Sequence, residues 1–344
     1  VPTPSTTTSV SIDRSITASE QRCSMTPRQR QWPVYDAPVS SQRTVPRSSL
    51  PATSSGTNVH AYTLLDWGLL TAIALIWGSS FLFMEIGLRS FEPGVITLVR
   101  IALGAATLAF FARARAGVDR DDRPRIAVLG VVWIAVPLLI FPVAQQWITS
   151  SVTGMINGAM PVFTVLWAIY LMRKLPGWRQ LLGIGLGFVG MLLVFVPELD
   201  VGGDQLVGAM LVVVAVAFYG LAANLSVPLS QKYGALPVVF RAQLVALLVV
   251  APIGLWQLPG SSWSWDSALA MVPVGVLGTG AAFVLMATLT GRVGGPRASV
   301  AIYFLPIVAI VLGVLILDET VEGVALAGVL LVMAGAWIAS RRES

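Results

Sequence analysis

Long apolar segments follow one another along the chain from Asp66 onward, and short polar segments separate them. The clearest is residues 299–319, which carries no charge until two acids at its end. A helix of about 20 apolar residues crosses a hydrocarbon layer about 30 Å thick. We therefore predict an all-α integral membrane protein with ten transmembrane helices, at about residues 66 to 88, 93 to 114, 125 to 148, 151 to 172, 177 to 197, 204 to 227, 237 to 257, 267 to 290, 297 to 317 and 322 to 340.

The second half of this pattern repeats the first. A shift of 145 residues places Pro161 under Pro306 (306 − 161 = 145), and the apolar segments around the two prolines align. The following segments keep this register, with Leu181, Gly183, Leu186 and Gly190 under Leu326, Gly328, Leu331 and Gly335. Such self-similarity indicates an internal duplication. Each copy has five helices, an odd number, so we predict two inverted repeats, residues 66–197 and 204–340.

Basic residues fall on alternate loops. The loops predicted on one side of the membrane, together with the C-terminal tail, carry Arg113, Arg115, Arg120, Arg123, Arg125, Arg173, Lys174, Arg179, Lys232, Arg292, Arg297, Arg341 and Arg342. The opposite loops carry Arg89 alone. Cytoplasmic loops of membrane proteins carry the excess of Lys and Arg, so we predict that both termini are cytoplasmic.

The composition agrees with a membrane protein. Hydrophobic residues make up 56% of the chain and charged residues only 11%, whereas a typical soluble domain is about 25% charged. Residues 1–62 differ, because they are rich in Ser, Thr, Pro and Arg and cannot form a buried core. We predict that they form a disordered N-terminal tail. An organellar transit peptide and a start site placed too early are two further interpretations of this segment.

Residues that carry enzyme chemistry are scarce. Cys23 and His60 are the only cysteine and the only histidine, so we predict no metal site and no catalytic Cys/His pair. The GxGxxG-like run in residues 183–190 lies inside an apolar segment with no strand before it, so it predicts no nucleotide site. Paired intramembrane carboxylates are also missing. We therefore expect no enzymatic activity, no cofactor and no nucleic-acid partner.

Four segments resemble a known family. WGSSFLFMEIGL in the first span, PVFTVLWAIYLM and LLGIGLGFVGMLLV in the first copy, and YFLPIVAIVLGVLILDETVEGVALAGVLLVMAGAW in the second resemble the two EamA repeats of the drug/metabolite transporter superfamily. The resemblance covers about residues 66 to 340. It implies a ten-helix transporter with a central cavity, which exports small metabolites, amino acids or toxic compounds by coupling to an ion gradient or by exchange.

Two positions depart from the pattern of that family. Glu85 stands near the end of the first span, where members often carry lysine, and Lys174 stands after the fourth span, where they often carry an acid. The second repeat keeps the acid as Glu319. If the usual lysine contributes to the binding of anionic substrates, Glu85 favours a cationic or neutral ligand.

Three ionisable residues fall inside the predicted spans: Glu85, Arg100 and Arg241. A charge within the membrane is costly and normally faces the bundle interior or a wet cavity. Arg100 lies about 10 Å inside its helix, so it either lines the transport path or pairs with backbone carbonyls or Glu85. Glu85 and Arg241 lie closer to helix ends, where a long side chain also reaches the membrane interface.

The remaining candidates are helix-breaking, aromatic or polar. Pro161 and Pro306 are expected to remove a helical hydrogen bond, which kinks the helix and frees a carbonyl group that can line the site. A kink that serves packing alone is the alternative. The further candidates for substrate binding or gating are Trp77, Asn157, Tyr219, Asn224 and Tyr303, each of which could instead hold helices together.

We predict from this a secondary active exporter of small organic solutes in the plasma membrane, with alternating access around a central cavity. Its expected partners are the lipid bilayer, a small-molecule substrate, a coupling proton or other ion, and a second copy in a homodimer. A nucleotide-sugar or phosphate-ester antiporter of the same superfamily is the alternative within the class. A non-transporting membrane protein and a membrane-embedded enzyme are the alternatives outside it.

Overall fold

The structure, a computed structural model, describes residues 56–57, 62–173, 178–201 and 203–340. Most of the predicted N-terminal tail lies outside these residues, as do Lys174 and the C-terminal Arg341 and Arg342.

The described residues form helices and contain no strand. Seven helical stretches are long and apolar enough to cross a membrane: Leu64–Leu88, Arg120–Ala144, Ser150–Met172, Gly203–Tyr233, Ala235–Gly260, Trp265–Val293 and Gly295–Leu317. Three shorter apolar helices, Pro93–Ala109, Leu181–Val194 and Gly323–Gly335, lie where the sequence predicts the second, fifth and tenth spans. The protein is therefore a multi-pass membrane protein.

Fourteen α-helices are described: α1 (Leu64–Leu88), α2 (Pro93–Ala109), α3 (Arg123–Leu129), α4 (Val136–Ala144), α5 (Ser150–Asn157), α6 (Met160–Met172), α7 (Trp178–Val201), α8 (Gly203–Tyr233), α9 (Ala235–Gln257), α10 (Trp265–Pro273), α11 (Ala282–Val293), α12 (Gly295–Ala298), α13 (Leu305–Leu317) and α14 (Gly323–Ser340). Two bounds differ clearly from the prediction. The second predicted span ends early, at Ala109, because a 3₁₀ turn follows where the arginine-rich loop begins. The sixth continues to Tyr233, whose hydroxyl donates to Asp122.

The helices of the fourth and ninth predicted spans are both interrupted just before a proline. Helix α5 ends at Asn157, and Pro161 lies in the first turn of α6. A 3₁₀ segment, Ser299–Phe304, likewise precedes α13, and Pro306 lies in its first turn. A proline in the first turn costs no intrahelical hydrogen bond, because that N–H has no partner there. The expectation that these prolines each remove a helical hydrogen bond is therefore wrong.

The third span of each copy contains a π-helical segment. These segments are Gly130–Ala135, between α3 and α4, and Val274–Ala281, between α10 and α11. Their starts are 144 residues apart (274 − 130 = 144), one less than the shift that aligns the prolines. A π-helical turn leaves backbone carbonyls free for other donors. The carbonyl of Gly278 accepts a hydrogen bond from Trp77 Nε1 at 2.8 Å.

Charged side chains tie helices together at one end of the bundle. Arg292 Nε donates to the buried Asp66 carboxylate at 2.6 Å, which joins α11 to α1. Lys232 Nζ donates to Asp122 at 2.7 Å and so joins α8 to the loop before α3. We call the end that carries these four residues the basic end.

The opposite end of the bundle, where Glu85 and Glu319 lie, is called the acidic end. Glu319, just after α13, accepts hydrogen bonds from the backbone N–H groups of Ser150 and Ser151 at 2.9 Å each. Both serine hydroxyls donate to the same carboxylate. Glu319 therefore covers the N-terminus of α5, where an acid also interacts favourably with the helix dipole.

Helix α7 packs along α14, and glycines bring their backbones into contact. A Cβ atom added to Gly190 would lie 2.6 Å from the carbonyl oxygen of Gly328, and one added to Gly328 would lie 2.6 Å from that of Gly190. Only glycine allows so close an approach. These glycines therefore form a close helix contact, which joins the last helices of the two copies.

Candidate functional site

A small cavity of about 20 Å³ lies in the interior of the helix bundle. Four of the residues predicted to bind or gate substrate line it together: Trp77, Arg100, Asn157 and Tyr219. The others that line it are Ser80, Phe81, Met84, Leu138 and Phe141. Tyr219 belongs to the second copy and the rest to the first, so the cavity lies between the two halves of the chain.

Helical spacing brings the α1 residues to this cavity. Trp77, Phe81 and Met84 are separated by four and three residues, so they lie on one face of the helix. Leu138 and Phe141 are three residues apart on α4 and reach the cavity in the same way. The other walls come from single residues on α2, α5 and α8.

Of the described residues that line the cavity, Arg100 is the only charged one, and it is only 3% exposed. Its Nε donates to Thr279 Oγ1 at 3.1 Å, and Nη1 lies 2.9 Å from the thioether sulfur of Met84. Among the described residues, no carboxylate lies within 4.0 Å of its guanidinium group. The alternative in which Arg100 pairs with Glu85 or with backbone carbonyls is not seen in the part of the chain that the structure describes.

Aromatic rings form the apolar part of the wall. Trp77 stacks almost parallel to Tyr219, with ring centroids 6.3 Å apart and an angle of 8°. The ring centroid of Phe141 lies 5.6 Å from that of Tyr219 and 5.6 Å from that of Phe81. The Trp77 indole N–H is already bonded to a backbone carbonyl, so this ring offers only its face and edge to a ligand.

Asn157 contributes an unused acceptor. It is the last residue of α5, at the interruption of the fourth span, and its side chain is 3% exposed. Its Oδ1 atom is buried and accepts no hydrogen bond from any described residue. Buried polar atoms are normally paired, so an unpaired one on a residue that lines a cavity indicates a place for a donor.

Two larger cavities lie at the acidic end, with volumes of about 510 and 320 Å³. They share Glu85, Arg89, Gln145 and Gln146 as lining residues. Glu85 is one helical turn from Phe81, which lines the central cavity. Gln145 lies between the central cavity and the cavities at the acidic end, because its Nε2 donates to the Phe81 carbonyl at 3.1 Å and to the Glu85 carboxylate at 3.4 Å. About one turn of helix thus separates the central cavity from the acidic end.

The profile of the EamA-like transporter family matches the chain twice, at residues 66–196 and 206–341. The chain belongs to this family.

Curated members of similar sequence are named as transporters. The uncharacterized transporter YoaV of Bacillus subtilis is 23% identical over 77% of this chain and 93% of its own length. A probable terminal-alkyne amino-acid exporter of Streptantibioticus cattleyicolor is 24% identical, over 80% of this chain and 93% of its own. A probable amino-acid metabolite efflux pump of Escherichia coli is 23% identical, over 79% and 94%.

A solved crystal structure has a similar fold. It superimposes with a TM-score of 0.59 and covers 80% of this chain and 96% of its own, at 15% sequence identity. The EamA-like chain described here therefore shares its helical architecture with a known structure.

The other predicted site residues of this EamA-like transporter lie outside the three cavities described above. The Nδ2 of Asn224 donates to the carbonyls of Thr164 and Gly220 at 2.9 Å each, so the residue ties α8 to α6. Tyr303 is buried in the 3₁₀ segment before α13. Pro161 is buried at the start of α6.

Pro306, in the second copy, packs against the helix interruption between α5 and α6 of the first copy. A Cβ atom added to Gly158 would lie 2.7 Å from Pro306 Cγ, so the absence of a side chain at Gly158 allows this contact. Pro306 thus supports the backbone next to Asn157 without lining the cavity itself.

The sequence pattern does not single out Phe81, Met84, Phe141 or Thr279, all of which line the cavity or contact Arg100. For Phe81 and Met84 the signal was available, because both follow Trp77 at helical spacing on the same face. Thr279 had no such signal, since its contact with Arg100 depends on how α2 packs against the π-helical segment. Among the described residues, no three His, Cys, Asp or Glu side chains are placed to hold a metal ion.

Proposed function

We propose that this EamA-family transporter is a secondary active exporter of small organic solutes, with the central cavity as its substrate site. The observation that carries the proposal is the position of that cavity. Residues of both copies line it or bond to its lining residues, and about one helical turn separates it from the cavities at the acidic end. A site between two halves is what alternating access requires.

In this proposal, ten transmembrane helices form two inverted five-helix repeats, residues 66–197 and 204–340. Both termini are cytoplasmic, because the basic end carries the arginine-rich loops. The transporter resides in the plasma membrane, and a proton or ion gradient or exchange supplies the energy. The names of the relatives support amino-acid metabolites as one substrate class. A reporter fused to the C-terminus, active only in the cytoplasm, tests this orientation.

In this proposal, the structure corresponds to a contracted state that faces outward. The ion pairs of Arg292 and Lys232 tie the basic end, whereas cavities of several hundred Å³ at the acidic end lie about one helical turn from the central site. The volume of the central cavity leaves room for about one water molecule. A solute therefore enters only when the aromatic walls move apart.

Export measurements test the proposal. Cells that express the wild type are compared with vector controls by metabolomics of medium and cell extract. Tyr219→Leu changes the cavity wall, and Tyr170→Leu is the matched control, since Tyr170 is 70% exposed on the surface of α6. We expect at least one solute to accumulate outside with the wild type and with Tyr170→Leu, and to fall about tenfold or more with Tyr219→Leu. Equal profiles for wild type and vector would reject export.

A further inference from the structure

Arg100 is a buried cation without a counter-ion in the described part of the chain. Its described partners are a neutral hydroxyl, on Thr279, and a thioether sulfur, on Met84. Neither carries a negative charge, and sulfur is a weak acceptor. Removal of a charge from water costs several kcal/mol unless an opposite charge or strong hydrogen bonds compensate for it. Structural packing alone gives no reason to keep an arginine at this position.

Arg241 lies on α9, the second predicted span of the second copy, and shows what a structural arginine looks like in this fold. Its guanidinium donates to the backbone carbonyls of Ala114, Pro237 and Ala116 at 3.1, 3.2 and 2.6 Å. It lies at the basic end and is partly exposed. Backbone carbonyls thus satisfy Arg241, whereas Arg100 has none among the described residues and lines a cavity instead.

The donors that remain on Arg100 belong mainly to Nη2. An arginine has five N–H groups, and the described contacts use Nε and one hydrogen of Nη1. Nη2 has no acceptor among the described residues. It is not among the fully buried unpaired atoms either, so it retains some access to space beside the side chain. The cavity that Arg100 lines offers that space.

We propose that Arg100 binds the carboxylate of the transported solute and that Asn157 Oδ1 accepts a hydrogen bond from an N–H or O–H group of the same solute. This inference rests on the proposed function. Arg100 and Asn157 line one cavity of about 20 Å³, so they lie close enough to bind neighbouring groups of one molecule. A carboxylate next to an amine or hydroxyl group satisfies both, and the rings of Trp77 and Tyr219 contact the apolar remainder.

The lining residues favour a carboxylate over a phosphate ester. Of the described residues at the cavity, only Arg100 is charged, so one negative charge is matched and a second is not. A guanidinium group binds a carboxylate through two parallel hydrogen bonds. Glu85 alone would favour a cationic ligand, but Glu85 lines the outer cavities. Arg100 lines the central cavity, so a cationic ligand does not fit there.

The first test compares export profiles of the wild type, Arg100→Gln, Arg100→Lys, Asn157→Leu and Arg113→Gln at matched membrane levels. Arg113 is exposed in the loop after α2 and serves as the control. We expect every solute exported by the wild type to carry a carboxylate, and its export to fall about tenfold or more with Arg100→Gln. Arg100→Lys keeps the charge but loses the paired geometry, so it restores part of the export. The control variant Arg113→Gln keeps the export activity of the wild type.

The inference is overturned if the wild type exports a solute without a carboxylate, or if Arg100→Gln or Asn157→Leu exports as well as Arg113→Gln does. A wild type that exports nothing rejects the proposed function instead, and the anion site is then decided separately by binding.

The binding test uses the purified full chain in detergent and the midpoint of its thermal unfolding. The probes are sodium acetate, sodium chloride, sodium phosphate and acetamide at equal ionic strength, with the wild type and Arg100→Gln. Ligands that bind the folded state raise the midpoint. We expect acetate to raise the midpoint of the wild type more than that of Arg100→Gln, and acetamide to have no such effect. A shift that depends on Arg100 but appears with chloride or phosphate and not with acetate would refute a carboxylate site, as would equal shifts in both proteins.

Discussion

Replacement of Glu319 by glutamine is the sharpest test of how the acidic end is held together. Its carboxylate accepts four hydrogen bonds, from the backbone N–H and the hydroxyl of both Ser150 and Ser151. The two serines are buried, so their donors depend on this one side chain. In Glu319→Gln, one oxygen becomes an amide nitrogen that cannot accept, and the other loses its charge.

The expected loss of unfolding free energy follows from the four hydrogen bonds that Glu319 accepts. A hydrogen bond to a charged group contributes about 1.5 to 3 kcal/mol and a neutral one about 1 kcal/mol. The glutamine loses two bonds and weakens two, and partial exposure of Glu319 reduces the effect. We expect the free energy of unfolding to fall by about 2 to 4 kcal/mol. For a chain of 344 residues, that lowers the midpoint of thermal unfolding by roughly 3 to 6 °C.

The assay is thermal unfolding of purified protein in detergent, followed by tryptophan fluorescence. Glu322→Gln is the matched control, because Glu322 is exposed and its side chain has no described partner. It makes the same chemical change a few residues away. If both variants unfold within a degree or so of each other, the carboxylate of Glu319 does not stabilise the start of α5, and the reasoning fails.

Three further predictions concern other contacts. Gly328→Ala places a methyl group against the backbone of α7 and should lower the free energy of unfolding by about 1 to 3 kcal/mol in the same assay. Asp66→Asn removes the ion pair with Arg292 and should lower it by about 1 to 3 kcal/mol, an effect that high salt leaves largely unchanged because the Asp66 side chain is buried. Hydrogen bonds from Lys232 and Tyr233 lower the pKa of Asp119. The stability that Asp119 contributes should therefore be present at neutral pH and disappear as pH falls below about 4, so wild type and Asp119→Asn should converge there.

The apolar segments and the two prolines of the repeat predicted much of the helical architecture. Each expected span coincides with an apolar helix, and Pro161 and Pro306 mark the interruptions of the fourth and ninth spans. The sequence did not predict how those interruptions form. It also carries no visible signal for the π-helical segments, because a π-helical turn depends on neighbouring donors such as Trp77, which satisfy the freed carbonyls.

The site was less predictable than the fold. The cost of burying a charge was enough to select Arg100, since it applies wherever the helix packs. Asn224 has a polar side chain in a similar apolar setting, yet it ties two helices together. The difference depends on the rotation of each helix about its axis and on its neighbours, neither of which a single sequence specifies.

The contact between α7 and α14 bears on how the rest of the molecule can move. Two helices whose backbones touch at Gly190 and Gly328 leave no side-chain layer that could slide or repack. This pair joins the last helix of each copy, so we expect the two helices to move together as a unit that both halves share. In the proposed rocking motion, the two halves would then rotate about this pair, and the largest displacements would fall on the helices farthest from it.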